Sequence, residues 1–153
     1  MGSKVMPWAV LSRARQQISI HSWTMYAHMV TAEPGAIQYV SGAAIATGGN
    51  YAPITLTDIG SSSANRTISD GEGGAKYILN NAVWPAVWLG SATPIVGLII
   101  CDGTSSGSQV YSYVERLVGG VPTPWVPPTA APGVAFSMDL FTNGFWRDEN
   151  PAF

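Results

Sequence analysis

The sequence predicts a single all-β domain, an antiparallel β-sandwich or jelly-roll-like barrel with one short amino-terminal helix, and three observations point there. Residues 95–117 read IVGLIIC, DGTSSGS and QVYSYVERL: two apolar β-type runs joined by an Asp/Gly/Ser/Thr loop, the pattern of a β-hairpin. Short apolar runs, alternating or continuous, recur along the chain between Gly- and Pro-rich turns, as in sandwiches and barrels. At 153 residues the chain is one domain, able to bury roughly 70% of the surface its unfolded form exposes.

Taken in order, residues 1–17 form an amino-terminal arm and the helix. WAVLSRARQQ at 8–17 holds good helix formers with no Gly or Pro, and Pro7 suits a first helical turn. Residues 18–30 change to period two: Trp23, Met25, Ala27 and Met29 share one face of a strand, with Thr24, Tyr26, His28 and Val30 on the other. His21 and His28 then point to opposite faces and cannot hold one metal; each reads as a hydrogen-bonded structural histidine. Residues 33–50 are loop-like, with turn signals at Pro34-Gly35 and Gly48-Gly49-Asn50 and a brief strand expected at 38–41.

In 51–59, Ile54 and Leu56 alternate with Thr55 and Thr57, a half-buried strand. The connection at 60–74 is polar. Its Asn65-Arg66-Thr67 string fits a glycosylation acceptor, and DGEGGAK at 70–76 lacks both the ending of a phosphate loop and the acidic spacing of a calcium loop, so both read as incidental surface sequence. Residues 75–84 enter a strand whose end Pro85 marks, with 87–89 extending the same edge.

The hairpin follows. Its first strand is apolar on both faces, as in the middle of a sheet, while its partner alternates Tyr111, Tyr113 and Leu117 against Val110, Ser112 and Val114. Cys101, the one cysteine, ends an apolar strand and reads as a small buried hydrophobe. Residues 119–133 hold five of the eleven prolines, too many for a helix or strand interior, so they form a stiff extended arm carrying Trp125. That tryptophan either locks onto a partner subunit or lies back on its own sheet. A last strand at 134–140 turns Val134, Phe136, Met138 and Leu140 inward; a turn at 142–144 leads to Phe145-Trp146 and a polar tail at 147–153.

Composition bounds the function. Only 10% of residues are charged, against about 25% in typical soluble domains, while 46% are hydrophobic. Such a surface is either covered by neighbours or a neutral Ser/Thr-rich one. A net charge of -2 with no basic stripe argues against nucleic acid as a partner. No apolar run approaches the ~18 residues of a membrane-spanning helix, and the amino terminus lacks the pattern of a signal peptide or a myristoylation site. Neither a metal nor another cofactor is expected. No G-x-S-x-G nucleophile context and no paired carboxylate spacing is present, so no enzymatic role is expected.

The order of landmarks resembles a family of small tailed-bacteriophage virion proteins with a sandwich-like fold that coat or decorate the particle. The likeness is carried by the helix and first strand at 11–30, by GGNYAPITLT at 48–57, by AKYILNNAVWPA at 75–86, by VGLIICDGTSSGSQVYSYVERL at 96–117 and by FSMDLFTNGFW at 136–146. The proline segment, Cys101 and the apolar amino terminus depart from the pattern. The resemblance implies a capsid decoration or cement protein at the capsid surface, made in the host cytoplasm. Its implied partners are the major capsid protein and further copies of itself, with subunit contacts expected from Trp8, Trp125, Trp146 and Phe153. The alternative is a tail or fibre module that binds host glycans through aromatics such as Tyr111, Tyr113 or Trp125.

Overall fold

A computed structural model describes residues 3–6, 25–56, 66–67, 75–77, 82–140 and 146–148. The fold is all-β, and every strand pair is antiparallel. No α-helix occurs among the described residues; the expected helix at 8–17 lies outside them, as do the first residues of the strand expected from 18.

The main sheet has five strands: β1 (Ser3–Val5), β2 (Met25–Val30), β3 (Ile54–Leu56) and the two hairpin strands, Gly97–Cys101 and Val110–Glu115. Between β3 and the hairpin come β4 (Arg66–Thr67), β5 (Ala75–Tyr77) and β6 (Ala82–Val87), so the hairpin strands are β7 and β8. The order β1-β8-β7-β2-β3 places β7 at the centre, as its two apolar faces predict, and all five of its residues are buried. Its pairs include Ile100 with Ala27 on one side and with Ser112 on the other.

β8 differs from the expected alternation, because both of its faces are buried from Val110 to Val114. The Ser112 hydroxyl is sealed in with no hydrogen-bond partner. Both faces of β2 are covered too from Ala27 onward. Part of the cover is the segment after β2, held by Thr31 N–H to the Ala44 carbonyl at 2.9 Å and Ala46 N–H to the Met29 carbonyl at 2.9 Å. Where a strand was expected at 38–41, a single bridge joins Tyr39 to Gln109 and a 3-10 turn follows at Val40–Gly42. The turn docks by Val40 N–H to the Ser108 carbonyl and Ser41 N–H to the Ser106 carbonyl, each 2.9 Å, so these residues satisfy the hairpin loop instead of extending a sheet.

The second layer pairs β6 with β11 (Val134–Met138). Pro85 does not end β6; the strand runs through it. The register slips between Val134 and Phe136, so Pro85 and Ala86 together face Ala135, and a proline is tolerated at such a bulge because no ladder hydrogen bond is asked of it. Ala82, Trp84 and Val87 of β6 and Phe136 and Met138 of β11 join the core. Val134, expected inward, is 48% exposed, since the slip leaves it at the rim of the layer.

Aromatic rings tie the layers together. Tyr51 stacks on Trp84 at 6.3 Å, Trp84 meets Phe136 at 5.8 Å, and Tyr51 accepts a 2.8 Å hydrogen bond from Met29 N–H of β2. The Gly48-Gly49-Asn50 turn is pinned to the end of β6 by Asn50 itself. Its N–H reaches the Trp88 carbonyl at 3.1 Å, its Nδ2 the Ala86 carbonyl at 2.9 Å, and its Oδ1 accepts from Trp88 N–H at 2.8 Å. One side-chain amide thus pairs this edge as a further strand residue would.

A small hairpin, β9 (Leu117–Val118) and β10 (Val121–Pro122), turns at Gly119-Gly120, whose φ of 58° and 79° suit a tight hairpin turn. A three-stranded sheet, β12-β5-β4, includes β12 (Trp146–Asp148).

Candidate functional site

Of the four residues expected to contact neighbours, Trp8 and Phe153 lie outside the described residues. Trp146 opens β12, where its backbone pairs with Tyr77. Trp125 takes the second of its two alternatives. It exchanges two backbone hydrogen bonds with Ile95, at 2.8 and 2.9 Å, and its ring lies 4.5 Å from that of Phe136.

The proline segment is accordingly fastened to its own domain at three points. Arg116 Nη1 donates to the Thr123 carbonyl, the Trp125–Ile95 bridge follows, and Leu89 N–H reaches the Pro128 carbonyl at 3.0 Å. Prolines suit this course because each removes a donor that an irregular surface segment would otherwise have to satisfy.

The hairpin tip is organised from below by two β-strand side chains. His28, 3% exposed, shares the Gly103 carbonyl with Cys101: His28 Nε2 lies 3.1 Å away and Cys101 Sγ 3.2 Å. Asp102 Oδ1 accepts from Gln109 N–H at 2.7 Å across the base of the loop, and Ser108 Oγ accepts from Ser105 N–H at 3.1 Å. Burial pushes the Cys101 thiol up to about 12, so the sulfur stays a neutral, space-filling group, as its place in the sequence implied.

Burial also lowers the pKa of His28 from 6.5, outweighing the Gly103 hydrogen bond that raises it. Because the folded value lies below the unfolded one, this histidine's contribution to stability is complete above pH 6.5 and is lost as pH falls through the folded value. Urea unfolding at about pH 7.5 and about pH 5.5 should therefore show the protein losing stability on acidification, and His28→Gln should flatten that dependence. An equal slope in the variant would contradict this role for His28.

Tyr111 and Tyr113, the aromatics offered for stacking on sugars, are 7% and 2% exposed, and burial is the main cause raising both phenol pKa values. They serve as packed faces of the hairpin. Among the described residues no three His, Cys, Asp or Glu side chains gather where they could hold a metal ion, and no helix is long and apolar enough to cross a membrane.

What the surface does offer is apolar. Val118 and Val121 on the small hairpin and Val126 in the proline segment are each more than half exposed, and Val83 of β6 is exposed as well. Sequence reasoning missed Val83 because a β-branched residue in a strand pattern reads as core, and Val121 and Val126 because they fall in a proline segment read as an arm for its Trp125. The available signal was the spacing of charge, since residues 34–57, 77–101 and 117–138 contain no Asp, Glu, Lys, Arg or His. The structure brings the three runs together through Asn50 on β6, β6 on β11 and Trp125 on Ile95.

No family model matches the chain, and no curated protein or solved structure matches it either.

Proposed function

We propose that this chain is a structural virion protein of a tailed bacteriophage, a capsid decoration or cement protein that works by contact and turns over no substrate. Its partners in this reading are the major capsid protein and copies of itself, and its place is the outer surface of the capsid. The observation that carries the reading is a surface poor in charge on which valines stand exposed over a sealed core. A contact that buries such a residue gains about 25 cal/mol per Å2 of apolar area, and the symmetry of a shell repeats each gain many times.

The resemblance to small virion proteins supplies the setting, and connections fastened by hydrogen bonds at 31–50 and 116–128 suit a part that must hold its shape. Mixing the purified protein with undecorated particles of the phage that encodes it tests the proposal. Co-sedimentation, with the particles surviving heat or low salt better than bare ones, is the expected result. Particles that pellet without the protein would refute it.

A further inference from the structure

Two pieces of chain lie along β8 on the side away from β7. Residues 38–40 take its start, where Val110 N–H donates to the Gln38 carbonyl at 2.8 Å and Val40 N–H to the Ser108 carbonyl at 2.9 Å. β1 takes the rest: Ser3, Lys4 and Val5 lie opposite Val114, Tyr113 and Ser112, and Met6 N–H donates to the Tyr111 carbonyl at 2.7 Å. The first piece is locked by the 3-10 turn that follows it and by Ser41 N–H on the Ser106 carbonyl. β1 is three residues long and is the last strand of its sheet, hydrogen-bonded among the described residues to β8 alone.

The part of β8 beside β1 carries a buried polar atom without a partner. Ser112 is fully buried, and its Oγ makes no hydrogen bond. Ile100 and Ala27 in the same row of the sheet and Val114 two residues on are all apolar, so the hydroxyl interrupts a dry surface. It has lost its water without gaining a partner, which weighs against the state that buries it. On one side of Ser112 lies β7, the sealed centre of the sheet; on the other, only β1 separates it from the edge. When β1 comes away, β8 becomes the edge strand and the hydroxyl regains water. Met6, 1% exposed and part of the core, opposes this by holding β1 down.

We propose that β1 is a releasable strap on β8, held by Met6 and loosened by Ser112, so that the domain opens locally at this edge while the rest of the sheet stays paired. Such an opening needs only the few contacts of one short strand to give way, far fewer than global unfolding. The open form presents a strand edge at 111–114, the kind of surface that takes up an extended segment. An alanine at position 112 would leave the closed strap firmer, and the hydroxyl there keeps the opening within reach. This opening is a property of the chain by itself, and it stands or falls apart from capsid binding.

Hydrogen exchange of the full chain, read at single amides by NMR, tests it. In the wild type the Met6 N–H should exchange at least about tenfold faster than the amides of β7, which open only with the whole domain. Ser112→Ala and Ser112→Cys each remove the strongly hydrated hydroxyl. Each should slow Met6 exchange about 5- to 100-fold and slow the β7 amides by a similar factor, because Ser112 meets water in the local and the global opening alike. Slowing at β7 with no change at Met6 would mean that Ser112 stays dry when β1 leaves, and would overturn the proposal. So would a wild-type Met6 amide that exchanges no faster than those of β7. The cysteine variant keeps the side-chain volume, so it decides the matter where lost packing makes the alanine variant open more readily; faster Met6 exchange in the cysteine variant also overturns the proposal.

Discussion

Replacing Ile100 by alanine is expected to remove about 2–5 kcal/mol of stability, a large share of the roughly 5–15 kcal/mol that holds an ordinary domain together. Ile100 is fully buried in the central strand β7, between Ala27 of β2 and Ser112 of β8. Its neighbours cannot close over the missing methylenes, because Ala27 is already small and β7 is paired with β2 on one side and β8 on the other, the register with β8 shifting only beyond Ile100. The loss therefore combines the lost burial with a cavity that persists. Urea denaturation reads it as a lower midpoint with an unchanged slope. A loss below about 1 kcal/mol would mean that the sheet is not sealed at its centre.

Gly49→Ala should cost a comparable amount, about 2–5 kcal/mol, for a different reason. Gly49 has a φ of 61°, in the left-handed region, and a Cβ placed there would lie 2.0 Å from the Trp88 carbonyl oxygen. The backbone of one layer must retreat from the other, and the adjacent Asn50 is the residue whose amide pairs with Ala86 and Trp88. Gly107→Ala is the matched control. Its Cβ would meet nothing within 4 Å, and the change should stay within about 0.5 kcal/mol of the wild type. If the two alanine variants melt alike, the Gly48–Asn50 turn does not hold the layers together.

The hairpin was legible because it is local: a continuous apolar strand, a polar loop of turn residues and a second β-type run adjoin in sequence. β3 was legible for the same reason, with Leu56 buried and Thr55 exposed as the alternation requires. Pro85 misled because a proline signals a strand end unless the partner strand offers a bulge, and the partner β11 lies some fifty residues away. The expected strand at 38–41 failed similarly. Its hydrogen bonds go to the hairpin loop at Ser106 and Ser108, a partner that local propensity does not reveal.

The candidate contact residues were less legible than the fold. Trp125 offered no sequence clue to whether it would face a partner or Phe136, since a large amphipathic ring suits both places. Exposed Val83 and Val134 were hidden by the rule that makes strand valines core, and the charge-free runs acquire meaning once the fold brings them into contact. His28 and Cys101 were read correctly as structural, but their common acceptor, the Gly103 carbonyl, is a tertiary feature.

The central proposal, that this domain acts as a contact-making coat on a phage capsid, is tested most directly by imaging assembled particles of a tailed phage whose genome carries this gene, with and without the gene. The account predicts additional density of one small β-domain per site on the outer surface of the capsid shell, absent from the deletion particle, whose shell is also less stable. Density at the tail or fibre tips, or a deletion particle identical in shell density and stability to the wild type, would contradict it.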